Sequence, residues 1–370
     1  QFSPYLFFGC ELKNRFDGTL FRFPLRVADV ARDSEISHAS YSPDAVVELL
    51  NQYLLFLRHV QRIEVYTFKA DDPAPVLWYS VGVTKRDPRE GWLTVPHFVS
   101  GHPRRPISKE AFYNKLSQTP DSALPKGEGG GAAITTAVAS DEGRRATSIV
   151  DVFLVCVAIG GGEAKALACR PEGRAMKFIP WGGVTLHIIF ALISSRTLTQ
   201  NHEWTLGVCR SVVAAHVSRN SQPPLAFKGQ AFCFLPLPVT TLLPVHVNGF
   251  FELSTNRRVR PQGKISTRDI WFGEDMAGAG KRRSEWNAIL LRDVIAPIYA
   301  SLVVKARDVM GPGPQHQALL PVAEMSKAWE NVVVATYAHL KNAPVLFSRQ
   351  SVRGEQGRWI APGKAVVVDE

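Results

Sequence analysis

The sequence contains no C-x-x-C pair, and its five cysteines (Cys10, Cys156, Cys169, Cys209, Cys233) are odd in number. Neither a disulfide framework nor a structural zinc site is favoured, so a reducing, cytoplasmic compartment is expected. Cys156 and Cys233 lie inside apolar runs, where a thiol acts as a small core hydrophobe. The ten histidines are dispersed without metal-ligand spacing; His187 and His246 fall in apolar runs and read as core or edge residues. There is no nucleophile elbow, metalloprotease helix or calcium loop. Glu274 and Asp275 are adjacent, so on one strand they would face opposite sides, a poor general acid–base pair. Independent catalysis therefore has little support. The longest nearly apolar run, Val184 to Ile193, is too short to span a bilayer, and no signal peptide is visible, so no membrane partner is expected. Lysine and arginine are spread over the chain without a basic run interleaved with aromatics. A nucleic-acid surface is disfavoured despite the net charge of +10.

What the chain does have is the composition of a globular protein, with 370 residues, 45% of them hydrophobic and 21% charged. That length suits two ordinary domains or one large domain with insertions. The sequence starts at Gln1 inside what reads as structure, and a piece of something longer is expected. Alternation predicts strands over Thr19–Leu25, Arg62–Phe68 and Val76–Thr84. Ser42-Pro43 starts an amphipathic helix that ends near His59. Residues 117–148 read as a flexible surface insertion, and Lys126 to Gly131 as linker, because no Gly-Lys-Ser/Thr follows. Val152–Ile159 reads as a central strand of a covered sheet. Gly160-Gly161-Gly162 reads as a turn, without the spacing and following helix of a dinucleotide fingerprint. Pro180 to Gly183 is a tight connection, and Ser194–Pro224 a second irregular segment. Ser284 is read as the N-cap of a helix to about Arg307, kinked or broken at Pro297. Glu324–His339 is a further helix, followed by short strands and turns. The fold class is α/β (α+β), with strands and helices alternating in a sandwich.

The remaining chemistry centres on Gly229 to Arg258. Two short apolar runs joined by a Pro-punctuated connection end in Ser254, Thr255, Asn256, Arg257 and Arg258. A strand that delivers hydroxyls, an amide and two guanidinium groups to one end is a rigid base for binding an anion. Lys281, Arg282 and Arg283 stand just before a predicted helix N-terminus, where unpaired amides also favour anions. The same arginines equally suit a solvated strand end, and both readings stay open at this point.

Four segments in order resemble the large repeats of the sacsin family: DGTLFRFPLR (Asp17–Arg26), FIPWGGV (Phe178–Val184), FCFLPLPV…LPVHVNGFFELSTNRR, and WFGEDMAGAGKRRSEWNAILLRDVIAPIYASL (Trp271–Leu302). Those repeats are similar to the ninety-kilodalton heat-shock chaperone in its GHKL ATPase and middle domains. The resemblance implies that residues 1–30 end an ATPase domain, with Gly18 and Thr19 matching its last nucleotide-pocket motif. Residues 31–116 would begin the middle region, 149–310 form its α/β core, and 311–370 add a helix and short strands. Arg257 would match the middle-domain arginine that reaches the γ-phosphate of ATP, with Asn256 and Arg258 beside it and Arg258 as the neighbouring alternative. The resemblance also implies ATP with magnesium in a longer protein, protein clients, and a link to the seventy-kilodalton chaperone system. The asparagine helix and both glycine motifs of a GHKL site are absent here, so this stretch alone is expected to be inactive as an ATPase. In the family the Asn-Arg-Arg run leads straight into Asp-Ile-Trp, whereas here Val259–Arg268 intervenes as a loop insertion. A scaffold repeat that no longer uses nucleotide is the alternative.

Overall fold

The computed structural model describes residues 13–15, 54, 60, 62–67, 74–86, 108–126, 128–138, 147–192, 229–253, 258–259, 265–266, 270, 279–320, 327–348 and 357–365. Its framework is a sheet of eight strands: β1 (Arg62–Thr67), β2 (Val76–Arg86), β3 (Glu128–Val138), β4 (Thr147–Ile159), β5 (Trp181–Leu192), β6 (Gln230–Cys233), β7 (Leu235–Thr240) and β8 (His246–Gly249). Their spatial order is β1-β2-β3-β4-β5-β8-β6-β7. Neighbours run antiparallel except β6 and β8, which pair in parallel. The helices are α1 (Lys109–Gln118), α2 (Gly162–Cys169), α3 (Pro171–Met176), α4 (Ala279–Leu290), α5 (Ala296–Met310) and α6 (Lys327–Leu340), with a further short turn at Pro314–Gln317. The chain is thus mixed α/β, as its alternating pattern predicts.

β4 holds the centre because its residues 153–159 are all apolar and all buried. Such a strand needs cover on both faces. On one face, Gly182 of β5 and Gly249 of β8 leave room for Val294, Ile295 and Leu290 of the long helix. A methyl group on either glycine would press into those side chains, so the missing Cβ atoms bring helix and sheet together.

The element predictions for β1, β2 and β4 match the structure closely, and the helix expected over 324–339 is α6. Others need correction. The segment 117–148 is not a loose insertion: β3 lies between β2 and β4 and pairs with β4 along its length and with β2 over Ala132–Val138. Its Gly129 to Ala133 carry too little apolar surface to show a strand pattern, and the two neighbouring strands determine its state. A helix does follow the three glycines, with Gly161 as its N-cap residue. β5 begins at Trp181, so Gly182 and Gly183 belong to a strand and not to a connection. The Gly229–Arg258 stretch holds three strands rather than two, and the last, β8, stops at Gly249. Pro236 and Pro238 fall in β7, an edge strand of the sheet among the described residues, where a missing N–H is tolerated.

Ser284 lies inside α4, not at its start. Nor does Pro297 break the helix: the preceding residues Leu291–Ile295 widen into a π turn, and Ala296 N–H donates to Leu291 O. Proline offers no N–H to the turn before it, and a π turn is one way for a helix to absorb that loss without stopping. Gly311, at φ 71°, ends α5. From Gly280 to Met310 this helix is long and apolar enough to cross a membrane, with mean hydropathy 1.5. Its most apolar window is 67% buried against the protein, which is the setting of a core helix. The helix predicted after Ser42-Pro43 (apart from the buried Leu54), the strand over 19–25, the segment 194–224, and Glu274 and Asp275 lie outside the described residues.

Candidate functional site

The chain leaves β8 through Phe250, Phe251 and Glu252, and α4 grips it there. Asn287 is fully buried and uses both ends of its amide on one residue. Glu252 N–H donates to its Oδ1 at 2.8 Å, and its Nδ2 donates to Glu252 O at 2.8 Å. Asn287 therefore satisfies Glu252 as a neighbouring strand would. One residue earlier on the helix, Trp286 Nε1 donates to Phe250 O at 2.9 Å, while its ring stacks on Phe178 with centroids 4.5 Å apart. Arg283 adds an ion pair to the Glu252 carboxylate at 3.4 Å. Burial raises the Glu252 pKa above the ordinary carboxylate value, and the arginine partly offsets that. Three positions on one face of the helix, Arg283, Trp286 and Asn287, thus hold the segment that leads into Ser254–Arg258.

β8 itself is fixed from the other side. Asn248 Oδ1 accepts from Phe234 N–H at 2.9 Å, steadying the turn in which Phe234 takes φ 61°. Gln230 N–H donates to Nδ1 of the buried His246 at 3.2 Å. His246 is a core histidine, as its apolar setting suggests.

Beyond Glu252, Leu253 bridges Ile270 in antiparallel sense, and a two-stranded ladder joins β9 (Arg258–Val259) to β10 (Ile265–Ser266). Arg258 pairs with Ser266 and Val259 with Ile265. The residues expected to interrupt the family pattern as a loop insertion thus include a short β ladder. Of the sequence-predicted site residues, the backbone of Arg258 is placed on β9, whereas Gly18, Thr19, Asn256 and Arg257 lie outside the described residues. The pinning by Arg283, Trp286 and Asn287 was missed in the sequence. The one available signal was a polar Asn287 set between Trp286 and Ile289 on the apolar side of the helix.

A phosphate does not fit the glycine turn after β4. Gly162 N–H, at the start of α2, already donates to Asp121 Oδ2 at 2.6 Å, and Lys165 Nζ pairs with Asp121 Oδ1 at 3.0 Å. The backbone donor and then the lysine hold the Asp121 carboxyl below its ordinary pKa. A carboxylate of the protein stands where a bound phosphate would, so no nucleotide chemistry is derived from these glycines. Among the described residues no group of three or more His, Cys, Asp or Glu could hold a metal ion.

The Sacsin domain family profile matches residues 1–80. Human sacsin is 23% identical over 362 residues, covering 85% of this chain and 7% of its own length. The chain therefore spans a small fraction of that curated relative. No solved structure matches.

Proposed function

From a chain that is sacsin-like, we propose a chaperone-type middle segment that contributes an arginine to an ATP site completed elsewhere in a longer protein. The observation that carries this reading is the pinned strand exit. Asn287, Trp286 and Arg283 hold Phe250–Glu252 through two backbone hydrogen bonds on Glu252, one on Phe250 and an ion pair. Such a base suits a guanidinium that must meet a phosphate in one geometry, because positioning is what an arginine contributes to phosphoryl transfer. Arg257 is the proposed phosphate contact, with Asn256 and Arg258 beside it and Gly18-Thr19 on the nucleotide side. In this reading the longer protein binds ATP with magnesium, handles protein clients and works with the seventy-kilodalton chaperone system in the cytoplasm.

The second reading is a scaffold repeat without nucleotide. It is supported by Asp121 filling the one glycine-rich helix start among the described residues. ATP turnover separates the two. The longer sacsin-like protein is expected to hydrolyse ATP, whereas the 370-residue chain alone is expected not to. Absence of both binding and turnover in the longer protein would leave the scaffold.

A further inference from the structure

A cleft of about 800 Å³ opens beside the end of β4, between the glycine turn and α5. Its size is that of a small-molecule site, for which about 300–1,000 Å³ is usual. Three features define what it would hold.

The first is an apolar wall. Ile159, Val294, Ile298 and Leu340 line the cleft. Along α5, Pro297, Ser301, Val304 and Lys305 are only half-buried and share one stripe at helical spacing, while most of the rest of that helix is buried. This largely buried apolar helix thus leaves one stripe incompletely packed, and that stripe lines the cleft.

The second feature is charge. Both lining carboxylates are engaged within the fold: Asp121 by Gly162 N–H and Lys165, and Asp293 by Arg292 Nε at 2.6 Å. Arg292 also pairs with Glu163, and these two acidic partners raise its pKa still further. Among the described residues, the other ionisable side chains on the lining, Lys126, Lys305 and His339, are all basic.

The third is a shape that cannot close on itself. At Gly160 a Cβ would collide with Val294 Cγ2, and at Gly161 it would collide with the Asp121 carboxylate. The turn is therefore wedged between the π turn and Asp121, held at fixed distance from α5.

We propose that this cleft binds a small amphipathic anion, an apolar body carrying one carboxylate or phosphate, with the body against α5 and the head toward Lys126 and Lys305. The site is separate from the arginine run and does not depend on the ATP reading.

Titration calorimetry on the 370-residue chain tests it with four probes: dodecanoate, dodecyl phosphate, dodecyltrimethylammonium and ATP. Saturable one-to-one binding is expected for one or both anionic amphiphiles, and the head preferred tells a carboxylate site from a phosphate site. The cation is expected not to bind. The Lys126→Glu/Lys305→Glu double variant should weaken the anion about tenfold or more. Ser301→Trp, which fills the cleft without changing charge, should abolish binding. Thermal midpoints of the variants confirm folding, and the lysine pair decides the matter if Ser301→Trp fails to fold. The proposal is overturned by no saturable anion binding, by equal binding of the cation, or by affinity unchanged in the lysine double variant. Binding of ATP in place of the amphiphiles would overturn it equally.

Discussion

Asn287 shows how much one side chain can organise. Its carboxamide is buried, and Glu252 N–H and C=O depend on it together. Asn287→Ala would leave both backbone groups without that partner, at a cost of about 2–4 kcal/mol. Urea unfolding of the variant should show a lower midpoint with an unchanged slope. Asn287→Asp keeps the acceptor but loses the donor to Glu252 O, so it should not rescue. His316 is a second decisive residue. It is 1% exposed, its Nε2 lies 3.1 Å from Val303 O, and Nδ1 has no hydrogen-bond partner. Burial holds its pKa below the ordinary 6.5, with the Val303 bond opposing. The native state therefore takes up fewer protons than the unfolded chain as pH falls. Stability is fully present above about pH 6.5 and is lost as pH drops toward the depressed value. Between about pH 7 and 5 the wild type should lose more stability than His316→Gln, measured by denaturant midpoints. Parallel losses in the two proteins would remove His316 from the account.

At the scale of elements, the junction of β4, the glycine turn and the π turn leaves no room for added side-chain atoms at Gly160 and Gly161. Gly160→Ala would drive a methyl into Val294, which is fully buried and has nowhere to go. A loss of about 1–3 kcal/mol is expected, as for an overpacked core. Val294→Ala in the same chain should restore part of it, so a double-mutant cycle should show a coupling well above about 0.5 kcal/mol. Additive effects would contradict the contact. This junction also shows what local pattern can and cannot tell. The apolar run from Val152 to Ile159 read directly as a covered strand, because its pattern and its burial are the same fact. Pro297 was read correctly as a disturbance in a helix. The response, a π turn instead of a break, follows from packing: residues on both sides, among them Leu290, Ile295 and Ile298, are locked in the core. Reading the three glycines as a turn misses the helix they open and its partner, since Asp121 lies 41 residues earlier.

At the scale of the whole molecule, β3 joins the β1–β2 pair to the rest of the sheet. If it were the loose segment its composition suggests, the sheet would fall into two parts. Hydrogen exchange should instead find amides within 129–137 protected, because strands interior to a sheet open with the larger cooperative unit. Exchange at loop rates there would break the sheet at that point. The fold class was legible in the sequence because alternating strand and helix patterns are local. Strand order and the grip on Glu252 were not, because a polar Asn287 on an apolar helix face does not say which backbone, here 35 residues away, it meets. The candidate arginines were legible only as residue types, and their role rests on the sacsin-like resemblance together with the pinned base.

In the proposed function this base presents Arg257 to ATP. Steady-state ATP turnover by the longer sacsin-like protein tests it most directly, comparing wild type, Arg257→Ala and Arg258→Ala. The account predicts that Arg257→Ala lowers kcat by about a hundredfold or more, as loss of a phosphate-contacting arginine does, while Arg258→Ala has a much smaller effect. Equal turnover in wild type and Arg257→Ala would contradict it.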